Sequence, residues 1–116
     1  ATAETNLAYA LWEFGRTEEA LEHSERAVEI DPRFGQAWYN RGFFLNERGL
    51  HEDAVNAFDN AQRLGFRSAD LLEEKAVALE ALGEDERAEE VAEQAEELRQ
   101  EQEQQLVDGD DERLLE

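Results

Sequence analysis

Apolar residues recur along this chain at helical spacing. In the last third, Ala88, Val91, Ala92, Ala95 and Leu98 form one stripe with Glu or Gln elsewhere, the pattern of a helix that buries a single face. An earlier stretch, EALEHSERAVEIDP at 19–32, has an alanine-spaced pattern and ends on the only proline, Pro32. Proline disfavours helix in the residue before it, so this helix stops there. Gly15, Gly49 and Gly83 each follow one helical pattern and precede another. Glycine accepts the left-handed conformation that closes a helix C-terminus. The pattern predicts six helices, near 3–14, 18–31, 37–48, 52–64, 70–82 and 86–105.

These helices repeat. The three glycines fall on a step of 34 residues, and so do Ala20, Ala54 and Ala88, and Ala27, Ala61 and Ala95. Leu11, Leu45 and Leu79 keep the step, as do Ile30, Leu64 and Leu98. Alanines at such places let two helix backbones approach, and the Leu/Ile positions are expected to fill the seam between neighbouring pairs. The step divides the chain into 1–34, 35–68 and 69–102, each a pair of antiparallel helices, with 103–116 left over as a helix extension and acidic tail. The junctions differ. The first stops at Asp31-Pro32, the second at Gly65-Phe66, and the third, Arg99-Gln100, has no stop, so the last helix runs on through 101–105.

With this spacing in place the sequence resembles the tetratricopeptide repeat. The middle unit carries the resemblance best, with Trp38, Gly42, Leu45, Ala54, Phe58 and Ala61 at the signature places. Unit one keeps NLAYAL, Ala20, Ala27 and Asp31-Pro32; unit three keeps Leu72, Ala76, Leu79, Gly83, Ala88 and Ala95. The departures are Glu4 and Leu72 at the tryptophan place, Arg41 and Lys75 where leucine is usual, Phe66 and Gln100 at the proline place, and Ser24 and Ala92 in place of Phe58. The resemblance implies an all-α fold, a right-handed α-solenoid of three antiparallel helix pairs. One pair cannot bury its apolar stripe alone, so about three are the minimum.

The resemblance also implies a groove lined by the first helix of each pair, one that takes a peptide from another protein. At the matching places stand Thr5, Tyr9, Trp12 and Glu13, then Tyr39, Asn40, Phe43, Asn46 and Glu47, then Asp70, Glu73, Glu74, Val77 and Glu80. Aromatics supply flat amphipathic anchoring surface, and an Asn amide both donates to and accepts from a peptide backbone. Trp38 and Phe58 read as core, Tyr9 and Phe43 as groove, and Trp12 and Tyr39 stand between. Some members of the family clamp the carboxylate terminus of heat-shock chaperones with Lys, Arg and Asn. The matching places here are Thr5, Tyr9, Asn40, Asp70 and Glu74, of which only Asn40 agrees, so that clamp is not expected.

Charge sharpens the ligand. The chain has 31 acidic and 11 basic residues, net −20, with a single lysine, Lys75. Residues 1–34 carry 8 acids and 3 bases, residues 35–68 carry 4 and 4, and residues 69–116 carry 19 and 4. Such a chain repels nucleic acid and anionic membrane, and the expected partner is a protein or peptide with apolar anchors flanked by Arg or Lys. A second reading of the acidity is a salt-adapted, halophilic surface, in which case it reports habitat and not ligand.

No catalytic pattern appears. His23 and His51 stand on different units without a paired motif, and no metalloprotease, nucleophile-elbow or phosphate-loop signature is present. Cysteine is absent, which removes thiolate chemistry and disulfides. We expect no enzyme, no cofactor and no metal site. The tail VDGDDERLLE lacks the glycine and closing glutamate of a calcium loop and reads as a disordered acidic tail. No apolar run reaches the ~18 residues of a membrane span, and a cytoplasmic location is expected. The chain opens on Ala1 and has no methionine, which reads as a piece of a longer protein. Two functions fit: a peptide-binding adaptor, or a structural module that stacks on further repeats or self-associates as a homodimer.

Overall fold

The computed structural model describes residues 2–115, with side chains described for residues 2–108. Six helices follow in order: α1 (Thr2–Glu13), α2 (Thr17–Ile30), α3 (Gly35–Glu47), α4 (His51–Arg63), α5 (Ala69–Ala81) and α6 (Asp85–Leu115). No strand occurs among the described residues. The fold is all-α, a superhelical stack of helix pairs.

Each turn within a pair closes the same way. Gly15, Gly49 and Gly83 sit at φ 79°, 79° and 80°, a region that residues with a Cβ rarely enter. The glycine N–H and the next N–H then turn back onto the helix. Gly15 donates to the Trp12 carbonyl and Arg16 to that of Leu11, both at 2.9 Å, so the final carbonyls are not orphaned. Gly65, at φ 85°, closes α4 likewise. At the first junction Pro32 ends the helix instead, and its carbonyl accepts the indole N–H of Trp38 at 2.8 Å. Trp38, expected in the core, is only partly buried because its indole edge serves this junction. At the third junction no stop occurs and α6 continues. It also runs past Gln105 and through the segment expected to be disordered, as far as Leu115. The side chains of 109–116 lie outside the described residues.

Alanine sets the packing distance. Ala20, Ala54, Ala88, Ala27, Ala61 and Ala95 are all buried, so both alanine sets lie at helix crossings. Leu45, Leu79 and Leu98 are buried too, but Ile30 is 61% exposed and Leu64 39%. Ile30 is the last residue of α2 and Leu64 caps α4, where the chain has already left the pair. Leu98 lies within the continuing α6 and reaches the main core. In the middle pair, the fully buried Phe58 ring lies against Gly42, so closely that a Cβ there would fall 2.6 and 2.9 Å from two ring carbons.

Polar residues at apolar places pair across the stack. Arg41 reaches Glu25 at 3.7 Å and lies 5.7 Å from the Trp38 ring centre. Lys75 reaches Asp59 at 2.7 Å and donates to Gln62 Oε1 at 3.0 Å. At the tryptophan place of unit one, Glu4 meets His23 Nδ1 at 2.7 Å. This contact holds the Glu4 carboxyl below the usual carboxylate range. No helix among the described residues is long and apolar enough to cross a membrane.

Candidate peptide-binding groove

The helix contacts decide which face is inner. First helices touch in series, α1 with α3 and α3 with α5, whereas α2, α4 and α6 make no contact with one another. The stack therefore curves with α1, α3 and α5 on the inside, where the candidate residues were placed.

The aromatic residues form two groups and not one unbroken patch. Tyr9 and Trp12 lie 5.8 Å apart, and Phe43 meets Trp12 edge-on at 4.9 Å. Tyr9 is 49% exposed, whereas Trp12 and Phe43 pack partly into the core of Ala8, Ala20 and Phe44. Tyr39 turns the other way and stacks on Phe66 at 5.4 Å, with Phe58 behind it at 6.1 Å. Between the groups lies a hollow of about 400 Å³ lined by Thr5, Asn6, Tyr9, Gln36, Tyr39 and Asn40. Asn40 is buried at its edge, its Oδ1 accepting from Gln36 Nε2 at 2.9 Å.

The electrostatics of the inner face are negative. Burial pushes the Tyr39 hydroxyl up to about 12, assisted by the charges of Asp70, Glu74 and Glu73. Burial also raises the Glu74 carboxyl, against the opposing hydrogen bond from Asn46 and with Glu47, Glu73 and Asp70 adding to the rise. One base enters this edge. Arg99 of α6 donates through Nε to Glu73 at 2.8 Å and through an Nη to Asp70 at 2.9 Å. Sequence spacing gave no sign of it, because the contact crosses between helices at separations of 26 and 29 residues.

Not every candidate is free for a ligand. Asn46 is 8% exposed. Its amide donates to the Glu74 carbonyl at 2.9 Å and to Glu74 Oε2 at 3.2 Å, and its Oδ1 meets His51 Nδ1 at 3.0 Å. It braces α3 to α5, in contrast to the ligand-facing place expected for it. Glu13 and Glu47 are exposed, Glu73 is held by Arg99, and Val77, 53% exposed, faces an opening between α5 and α6 instead of the aromatic hollow.

A curved stack of helix pairs with an aromatic, acidic inner face defines a helical-repeat interaction module. Residues 3–44 match the Tetratricopeptide repeat. It is 33% identical over 54 residues to Small glutamine-rich tetratricopeptide repeat-containing protein 2 of Mycosarcoma maydis, over 47% of this chain and 15% of that protein. Among solved structures it superposes on YrrB, described as a TPR protein with an unusual peptide-binding site. That match has a TM-score of 0.77 and 26% identity, over 84% of this chain and 50% of the other. The second TPR of Spaghetti (RPAP3), bound to the HSP90 peptide SRMEEVD, shares the fold with a TM-score of 0.77 and 19% identity, over 81% of this chain and 87% of that one. The chain spans 12% and 15% of the length of the first two curated relatives it matches.

Proposed function

We propose that the inner face binds a peptide segment of another protein, with an apolar side chain in the hollow between Tyr9 and Tyr39 and Arg or Lys beside the acids of α5. The observation that carries this reading is the hollow itself. It is rimmed by aromatics and a buried amide, and the carboxylates of Asp70, Glu73 and Glu74 act on the Tyr39 hydroxyl beside it. Apolar anchors gain from burial against flat rings, while charge of the right sign steers encounter and rejects wrong partners. The working residues are Tyr9, Trp12, Tyr39, Asn40 and Phe43, with Asp70, Glu73 and Glu74 setting the sign.

The role is binding and not catalysis. YrrB and the second TPR of Spaghetti are both described with peptide sites or peptides, which supports a peptide ligand here. An acidic tail such as SRMEEVD would meet Asp70 and Glu74 where the ligand's own charge is repelled. The test is panning of a random peptide library on the full chain, followed by titration of selected peptides against Tyr9→Ala and Asp70→Lys. Basic, apolar peptides should be enriched and should weaken on both substitutions. Enrichment of acidic C-terminal peptides, or affinity unchanged by both variants, would sink the reading.

A further inference from the structure

The stack shows twice what covers the open side of a helix pair: α3 lies on α1 and α2, and α5 lies on α3 and α4. Among the described residues no helix lies on α5 and α6 in that way. A hollow of about 540 Å³ opens there, floored by Ala76, Ala88 and Ala92 and edged by Glu80, Asp85 and Glu89.

Two features recur where such a face is covered. The first is an ion pair. Glu25–Arg41 and Asp59–Lys75 join each pair to the next helix, and both partners advance by 34 residues. The next acid in the series is Glu93, exposed and without an ion-pair partner among the described residues. The second is a ring. In unit one Ala8 and Ala20 are fully buried by Phe44, which arrives on the covering helix. In unit two Phe58 fills the space from within, against Gly42, and the covering helix brings only Ala78 at the place of Phe44. Unit three has Ala76 and Ala88 at the places of Ala8 and Ala20, and Ala92 where Phe58 stood. It has no ring of its own, as in unit one, and its hollow is the space that a ring filled there.

We propose that the α5–α6 face docks an amphipathic helix of another protein that carries a basic residue and, three positions on, an aromatic one. Arg41 and Phe44 have this spacing on α3, and residues three apart share one face of a helix. The base would meet Glu93 and the ring would enter between Ala76 and Ala88. The acidic edge of the hollow favours a cationic helix. A second copy of this chain fits poorly, since its α1 offers Leu7 and Ala10 at these places and each copy carries net −20.

The test uses the full chain and fluorescein-labelled, alanine-based peptides about 16 residues long, enough to hold a helix. One carries Arg and Phe three apart, one has that Phe changed to Ala, and one has that Arg changed to Glu. Anisotropy should show binding of the first alone. Glu93→Arg, at an exposed site, should weaken it about tenfold, the scale of a lost charge partner. On the Glu93→Arg chain the Glu peptide should bind instead, a rescue that the net negative field cannot produce. Ala92→Phe should block the hollow, as Phe58 does in the middle pair. Tyr9→Ala should change nothing, which separates this face from the inner one. Absence of binding, equal binding of the peptide lacking Phe, or indifference to Glu93→Arg would overturn the proposal. So would a concentration-dependent dimer abolished by Ala92→Phe, which would give the face to a second copy.

Discussion

Gly42→Ala places a methyl group where the Phe58 ring already is. Both residues are buried, and the new Cβ would lie 2.6 and 2.9 Å from two ring carbons, well inside van der Waals contact. Overpacking of this kind costs about 1–3 kcal/mol, while replacing glycine by alanine within a helix returns about 1 kcal/mol. With Phe58 present the net effect is a loss of about 1 kcal/mol, at the midpoint of those ranges. Phe58→Ala alone opens a cavity and costs about 3–5 kcal/mol. In that background the clash is gone, and Gly42→Ala should stabilise by about 1 kcal/mol through helix propensity alone. The sign therefore reverses, with a coupling of about 2 kcal/mol, well beyond the error of a double-mutant cycle. Urea unfolding followed by circular dichroism at 222 nm, with trimethylamine oxide added equally to all four proteins to keep the weakest folded, measures the cycle. An equal effect of Gly42→Ala in both backgrounds would refute the argument that the ring occupies the alanine's space. Unit three already carries the small–small combination, Ala76 with Ala92.

Four further outcomes follow from side-chain contacts. Asn46→Ala removes the brace to Glu74 and should lower stability by about 1–2 kcal/mol, read as a fall in thermal midpoint. Lys75 is nearly buried beside Asp59. Asp59→Ala should therefore cost more than Lys75→Met, because the first strands a buried cation and the second replaces it with an apolar chain of similar length; chemical denaturation of both ranks them. Glu74 titrates above its ordinary value in the fold, so its protonated form favours folding, and that contribution is lost as pH rises above about 4.5, through the raised value. Glu74→Gln keeps an acceptor for Asn46 and should raise the thermal midpoint at pH 7 but not at pH 3. Glu4, shifted down, works in the opposite sense: its contribution is present at pH 7 and lost on acidification, and Glu4→Gln should lower the midpoint at pH 7 but not at pH 3.

Much of the architecture was legible because it depends on local chemistry repeated in register. Gly15, Gly49 and Gly83 mark helix ends through backbone freedom alone, and the alanine sets mark crossings by size alone. The helix starts fell within about two residues of those observed, the usual scatter of such boundaries. The inner face was less legible. Tyr39 and Phe43 stand four apart on one helix, yet Tyr39 turns to Phe66 and Phe43 to Trp12, a choice made by neighbouring helices and not by spacing. Asn46 looked like a ligand-facing amide, but the carbonyl it satisfies belongs to α5, 28 residues away. Arg99 was missed for the same reason, since nothing near it in sequence shows that it reaches Asp70 and Glu73. Ile30 and Leu64 followed the repeat yet stayed exposed, because periodicity cannot tell where a helix outruns its partner.

The lack of contact among α2, α4 and α6 has a mechanical meaning. The inner helices touch one another directly, whereas α2 and α4 reach the next pair through α3 and α5, so a change in curvature alters the gap between α2 and α4 without breaking a direct contact between them. A guest that draws α1 and α3 together must spread the outer helices, so the gap between spin labels at Glu22 on α2 and Asn56 on α4 becomes a ruler for occupancy of a face that neither label touches.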